Sequence, residues 1–233
     1  MELRLVGSEM CIRDRLIVYS ITVEDTASFW DAGEFIAVSS KLEVPHPPGA
    51  PFYLLLGRFF SMFAFGVPEN IAIAINFLSV VSSAFTILFL FWTITYLASK
   101  IIDPRLNNNN KVLAILAGFI GSLSFTFTDS FLFSAVESEV YAMSSFFTAF
   151  VFWAILKWES LDDEKDQNKW IILIAYMMGL SIGVHLLNLV TIPALALIIY
   201  FKKYKEVTFR GIVISLFLGL ISVGLIVEGI IPG

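Results

Sequence analysis

The sequence is poor in everything that a water-facing surface or a redox scaffold needs. Only 15% of its 233 residues are charged, two are histidine, and Cys11 is the lone cysteine. A soluble domain carries about 25% charged residues, so an all-round aqueous exterior is excluded. One cysteine excludes an intrachain disulfide framework. Walker loops, glycine-rich dinucleotide turns and zinc-protease histidine spacings are missing, so a transferase here would take its activated donor from the membrane. There is no basic surplus either: the formal net charge is −5, and nothing in it favours a nucleic-acid partner. Five stretches, 70–99, 112–128, 140–156, 170–201 and 211–227, contain no Asp, Glu, Lys or Arg at all. What is abundant is apolar: 58% hydrophobic residues, 23 Phe and a mean hydropathy of +0.82. The fold class that follows is an all-α, polytopic transmembrane helical bundle, in contact with membrane lipid.

Charge placement gives a topology. Lys100, Arg105 and Lys111, then Lys157, Lys165 and Lys169, then Lys202, Lys203, Lys205 and Arg210 flank three loops. The positive-inside tendency puts these on the cytoplasmic side. Glu24, Asp25, Asp31, Glu34, Glu43 and His46, with Asp129, Glu137, Glu139 and His185, then share the external face. Parity forbids 47–65 from crossing. It is expected to be an interfacial or re-entrant helix with Pro47 and Pro48 in its first turn and Arg58 snorkelling or paired. The run 170–201 is too long for one helix and is expected to form two short ones meeting near the outer face, with Gly179 and Gly183 permitting close contact. Asn107 to Asn110 read as a polar turn, and Asp129 as a helix-end residue.

Both ends look foreign to this pattern. Residues 1–15 resemble translated sequencing-adaptor sequence and are expected to replace the start of a first transmembrane helix; a genuine charged n-region before a signal anchor is the alternative. Residues 16–233 are expected to be the amino-terminal fragment of a longer transmembrane domain, because the chain closes on a hydrophobic helix.

Chemistry is confined to the acidic loops. Asp31 and Glu34, three apart, share one face of a helix; a solvated loop with an N-capping Asp explains them equally well. Phe29, Trp30 and Phe35 would anchor that loop at the interface. His46, held by two following prolines, has a reference pKa of about 6.5 and so could donate to a phosphate or act as an acid. Glu137 and Glu139 point to different faces, so one at most reaches a shared site with Tyr141; an interfacial acid pair is the alternative. His185 and Asn188 form a polar pair at i and i+3, or a structural interhelical bond. A divalent cation could sit among the acids, although no ligand set of defined geometry is readable, so the metal is unknown.

Taken together, Ser28-Phe-Trp-Asp-Ala-Gly-Glu-Phe-Ile36, His46-Pro-Pro-Gly-Ala-Pro51 with Gly57-Arg58, Ser134-Ala-Val-Glu-Ser-Glu-Val-Tyr-Ala142 and Gly183-Val-His-Leu-Leu-Asn188 resemble a bacterial multipass membrane family. That family, long of unknown function, is grouped with protein O-mannosyltransferase-like enzymes of the GT-C fold. The resemblance runs from about Leu16 to the end. It implies a GT-C-like bundle in a bacterial inner membrane, with interfacial helices in the first external loop and the acidic site on the periplasmic face. It implies an inverting glycosyltransferase that moves a sugar, by expectation mannose, from a polyprenyl-phosphate donor to a protein Ser/Thr or glycan hydroxyl. Asp31 matches the family's catalytic carboxylate. Glu34 would orient acceptor or sugar, His46 and Arg58 would neutralise the leaving phosphate, and Glu137, Glu139, Tyr141, His185 and Asn188 are candidates to line the substrate. The rival readings are a transporter or lipid-handling protein, or a structural envelope subunit.

Overall fold

The computed structural model describes the backbone of residues 2–101 and 108–230, and side chains from Ile12 to Ile101 and from Lys111 to Gly229, together with Glu9. Arg105, Asn107 and the closing Pro232–Gly233 lie outside the described residues. Among the described residues there are helices and no strand. Helix α1 (Glu2–Thr22) precedes the acidic loop. Then come α2 (Ala32–Lys41), α3 (Pro51–Ser61), α4 (Ile71–Ile101), α5 (Asn108–Thr126), α6 (Asp129–Val136), α7 (Val140–Glu159), α8 (Glu164–Ile182), α9 (Ile192–Lys203) and α10 (Phe209–Leu225).

Among the described residues, four segments are long and apolar enough to cross a membrane: Pro68–Ile101, Val140–Glu159, Leu186–Lys203 and Phe209–Gly229. The bent pair formed by α5 and α6, which turns by 70°, makes a fifth if counted as one span. The bend falls where Thr128 adopts extended backbone and Asp129 opens α6 as its first residue. Asn108 to Asn110 belong to the first turn of α5 rather than to a polar turn.

α4 is the central post and packs against α1, α5 and α7, while α9 pairs with α10. The bundle has two unlike ends. At one, Lys100 at the close of α4 meets Glu159 at the close of α7 at 2.5 Å, and Tyr96 Oη donates to the same carboxylate at 2.6 Å. Lys202 of α9 donates to the carbonyls of Trp158 and Leu161 there, each at 2.7 Å. At the other end, Asn76, buried near the start of α4, donates to the carbonyl of Glu24 at 2.7 Å and accepts from the Ser138 hydroxyl just before α7. Basic residues thus collect at one end and the acidic loops at the other.

The stretch Pro51–Ala64 is apolar but rises only about 21 Å as helix, too short for a core of about 30 Å. It is not among the segments long enough to span. Its first-turn proline is Pro51, not Pro47 or Pro48. Those two form a cis peptide ahead of the helix, in a turn closed by Gly49 N–H donating to His46 O at 3.0 Å. The long run 170–201 breaks after Ile182 into α8 and a 3-10 turn, Leu186–Thr191, that leads into α9. Gly183 carries the close approach at the break: a Cβ there would sit 2.9 Å from Phe52 Cβ. Gly179 has no such neighbour within 4 Å.

Candidate functional site at the acidic end of the bundle

Three chain reversals build the site. α2 ends at Leu42, whose left-handed φ of 56° turns the chain back, with Glu43 N–H donating to Val38 O at 2.9 Å. The returning loop carries His46 past Glu34. α3 then starts with its free amides directed at the α8–α9 break: Phe52 N–H and Tyr53 N–H both donate to the Gly183 carbonyl, at 2.8 and 3.3 Å. From the other side, the α6–α7 junction brings in Glu137 to Tyr141.

The result is a small cavity of about 90 Å³, lined by Asp31, Phe35, His46, Glu139, Tyr141 and His185 together with the 48–50 turn, Val140 and Val184. Asp31 occupies the N-cap position of α2, yet its carboxylate makes no cap hydrogen bond. Its backbone N–H donates to Glu139 Oε1 at 3.1 Å. Glu34 grips His46 twice, accepting from its backbone N–H at 2.7 Å and from its Nδ1 at 2.9 Å. His46 Nε2 then lies 3.9 Å from Asp31 Oδ2. One ligand atom each from Asp31, Glu34 and His46 lies within 4.8 Å of the others, so these three residues could share a cation. Next to them Trp30, with φ of 58°, and Phe29 stand exposed.

Charge and burial set the protonation. The hydrogen bond to Glu34, with the negative charges of Asp31 and Glu139 nearby, raises the His46 pKa. The same bond lowers that of Glu34. Burial pushes Glu139 up to about 7, helped by the Glu137 and Asp31 charges. His185 is moved the other way by burial, towards the neutral form. Its Nδ1 accepts from Leu187 N–H at 3.1 Å, which leaves Nε2 as the N–H donor. The ring stands 5.4 Å from that of Tyr141.

Glu34 meets this cavity only through His46, and three further candidates do not line it. Glu137 is buried and accepts from the Ser28 hydroxyl, so it ties down the acidic loop instead. Arg58 lies two turns into α3 and donates Nη1–H to Ser40 O at 2.5 Å, where it complements the carbonyl end of α2. Asn188 is fully buried and donates to Ser181 Oγ at 2.9 Å across the helix break. Ser28, Asn76 and Ser138 were missed as the framework of the site. Asn76 did leave a signal: it is an amide inside a charge-free run of thirty residues, where a polar group needs a partner.

A bundle of apolar spans with carboxylates, histidines and a tyrosine gathered at one end defines an integral membrane protein with a polar site at the ends of its spans. The chain belongs to the family described as "Protein O-mannosyl-transferase TMEM260 N-terminal domain", whose model matches residues 31–208. It is 31% identical over 136 residues to the protein O-mannosyl-transferase tmem260 of Dictyostelium discoideum, covering 57% of this chain and 14% of that protein. It is 25% identical over 179 residues to the protein O-mannosyl-transferase TMEM260 of Mus musculus, covering 76% of this chain and 23% of that protein. The chain therefore corresponds to less than a quarter of either relative. No solved structure matches it. The grouping with O-mannosyltransferase-like proteins that the motifs suggested is thereby shown.

Proposed function

We propose that this chain carries the acceptor-activating end of a membrane glycosyltransferase of the GT-C type. The enzyme moves mannose from a polyprenyl-phosphate donor to an acceptor hydroxyl, a protein Ser or Thr. The observation that carries the reading is the uncapped Asp31 carboxylate in a cavity at the end of the spans, held through its own backbone by Glu139. The acceptor oxygen attacks the anomeric carbon and forms the new C–O bond while the bond to the donor phosphate oxygen breaks. The proton of the acceptor hydroxyl passes to Asp31, and polyprenyl phosphate leaves with inversion. A carboxylate is a weak base towards an alcohol, so the proton moves late, as charge develops on the acceptor.

The departing phosphate needs donors, and the cavity supplies them in His185 Nε2–H and in His46, whose partnership with Glu34 favours its cationic form. Arg58, engaged with Ser40, is not required for this. A cleft of about 670 Å³ supports a lipid-borne donor. It is walled by Leu90, Ile94, Leu97, Phe152 and Val190 and reaches Leu187, two residues from His185. The acidic end would face the periplasm if the basic end obeys the positive-inside rule. A transporter would concentrate ionisable groups and helix breaks at mid-span; here Asp31, Glu34, His46 and Glu139 all lie outside the spanning segments. The test uses the full-length parent in membranes, supplied with radiolabelled polyprenyl-phosphate mannose. Label transfer to protein that falls by about 10²-fold or more in Asp31→Asn, at unchanged expression, supports the reading. Retained transfer rejects Asp31 as the base.

A further inference from the structure

The hairpin of α9 and α10 carries a second cleft, a full span away from the carboxylate cavity. Its volume is about 630 Å³. Ile199, Ile214 and Leu218 form an apolar wall between the two helices, and Lys203 and Arg210 stand at its mouth with a single acid, Glu206. The wall has a fixed shape. Tyr200 Oη accepts from Thr208 N–H at 3.1 Å, and Thr208 Oγ1 caps α10 by accepting from Gly211 N–H at 3.1 Å. A Cβ on Gly211 would collide with the Tyr200 hydroxyl, so glycine is what lets the ring lie across the helix start.

The bases at this mouth differ from others in the bundle. Lys100 is paired with Glu159, Lys169 with Asp166, and Lys202 donates to two carbonyls above the Trp158 ring. Among the described residues, Lys203 and Arg210 have no ion-pair partner. Two cations against one acid, neither of them ion-paired with it, beside an apolar slot between membrane helices match an amphiphile with an anionic head and an acyl tail.

We propose that this cleft is a binding site for one anionic phospholipid, its phosphate held by Lys203 and Arg210 and one acyl chain lying along Ile199, Ile214 and Leu218. The site stands apart from the transfer reaction and does not rest on it. The bound lipid fixes the basic end of the hairpin in the leaflet that carries negative charge.

The experiment is native mass spectrometry of the full-length parent exchanged into phosphatidylglycerol or phosphatidylcholine. The expected result is one retained phosphatidylglycerol per chain, preferred over phosphatidylcholine by about ten- to thirty-fold, the effect of two bases beside an anionic headgroup. Lys203→Gln with Arg210→Gln should abolish the preference. Lys205→Gln, a neighbouring base outside the cleft, should leave it intact. The charge-keeping pair Lys203→Arg and Arg210→Lys should retain it, which separates loss of charge from loss of fold. Absence of preference in the wild type, an equal loss in Lys205→Gln, or displacement of the lipid by inorganic phosphate would overturn the proposal.

Discussion

The backbone N–H of Asp31 donates to the carboxylate of Glu139 at 3.1 Å, although the two residues stand 108 positions apart. The backbone of the proposed base is therefore held by a second acid that lines the same cavity. Glu139 is buried, and burial pushes its pKa up to about 7.

That titration has a sign. The pKa of Glu139 is higher folded, about 7, than unfolded, 4.5, so the native state holds the extra proton and stability falls as pH rises between those values. Thermal unfolding of the wild type between pH 4 and 9 is expected to show a Tm that declines towards about pH 7 and then levels off. Glu139→Gln should lose this component of the decline. An unchanged slope in the variant would assign the titration to another group.

His46 behaves in the same sense, in a window that begins at the ordinary histidine value. A histidine with a raised folded pKa adds stability that is complete below its unfolded value and is lost as pH rises through the folded value. In a pH profile of transfer, Glu34→Gln should shift the limb belonging to His46 towards lower pH, because its hydrogen bond and charge are gone. A profile that stays in place would show that His46 does not titrate in the reaction.

Replacement of Gly183 by Ala should cost about 1–3 kcal/mol, since the added methyl overlaps Phe52 and must push the start of α3 away from the carbonyl that both its amides share. Gly179→Ala is expected to be neutral or stabilising by up to about 1 kcal/mol, because its site is open and helical. Denaturation of the two variants side by side measures the contrast.

The phosphate donors can be told apart by kinetics. His185→Ala should lower kcat by about 10²-fold, as loss of one preorganised donor does. Arg58→Ala should leave kcat within about two-fold and act on stability alone, by about 1 kcal/mol, through the α2 terminus it caps. Equal losses in both would return Arg58 to the leaving group.

Much of this fold was legible because a bilayer imposes simple rules. Charge-free runs marked the helices long and apolar enough to span, and α3, which parity expects not to cross, is too short to be one of them. The break at Gly183 was readable from a run too long for one helix. The bend at Thr128 was not, since nothing in 112–136 but Asp129 interrupts the apolar pattern and a helix could have continued. In the site, the neighbourhood of Asp31, Glu34 and His46 followed from short spacing. The fates of Glu137 and Glu139 did not: alternation says that they diverge, but only tertiary contacts decide that Ser28 takes one and Asp31 the other. Arg58 was expected to snorkel or pair, and the partner it takes, the Ser40 carbonyl at the end of α2, was not legible from spacing.

The shared carbonyl of Gly183 also sets a timetable. Asp31 leaves the ribosome roughly 150 residues before Gly183 does, which at about 5–20 residues per second is roughly 10–30 s of synthesis. Throughout that interval α3 has no acceptor for its first amides, and the loop bearing Asp31 cannot close on α7 until Glu139 follows it. In the finished fold the earliest-made acidic loop and the start of α3 are thus held by residues made more than a hundred positions later, Glu139 and Gly183.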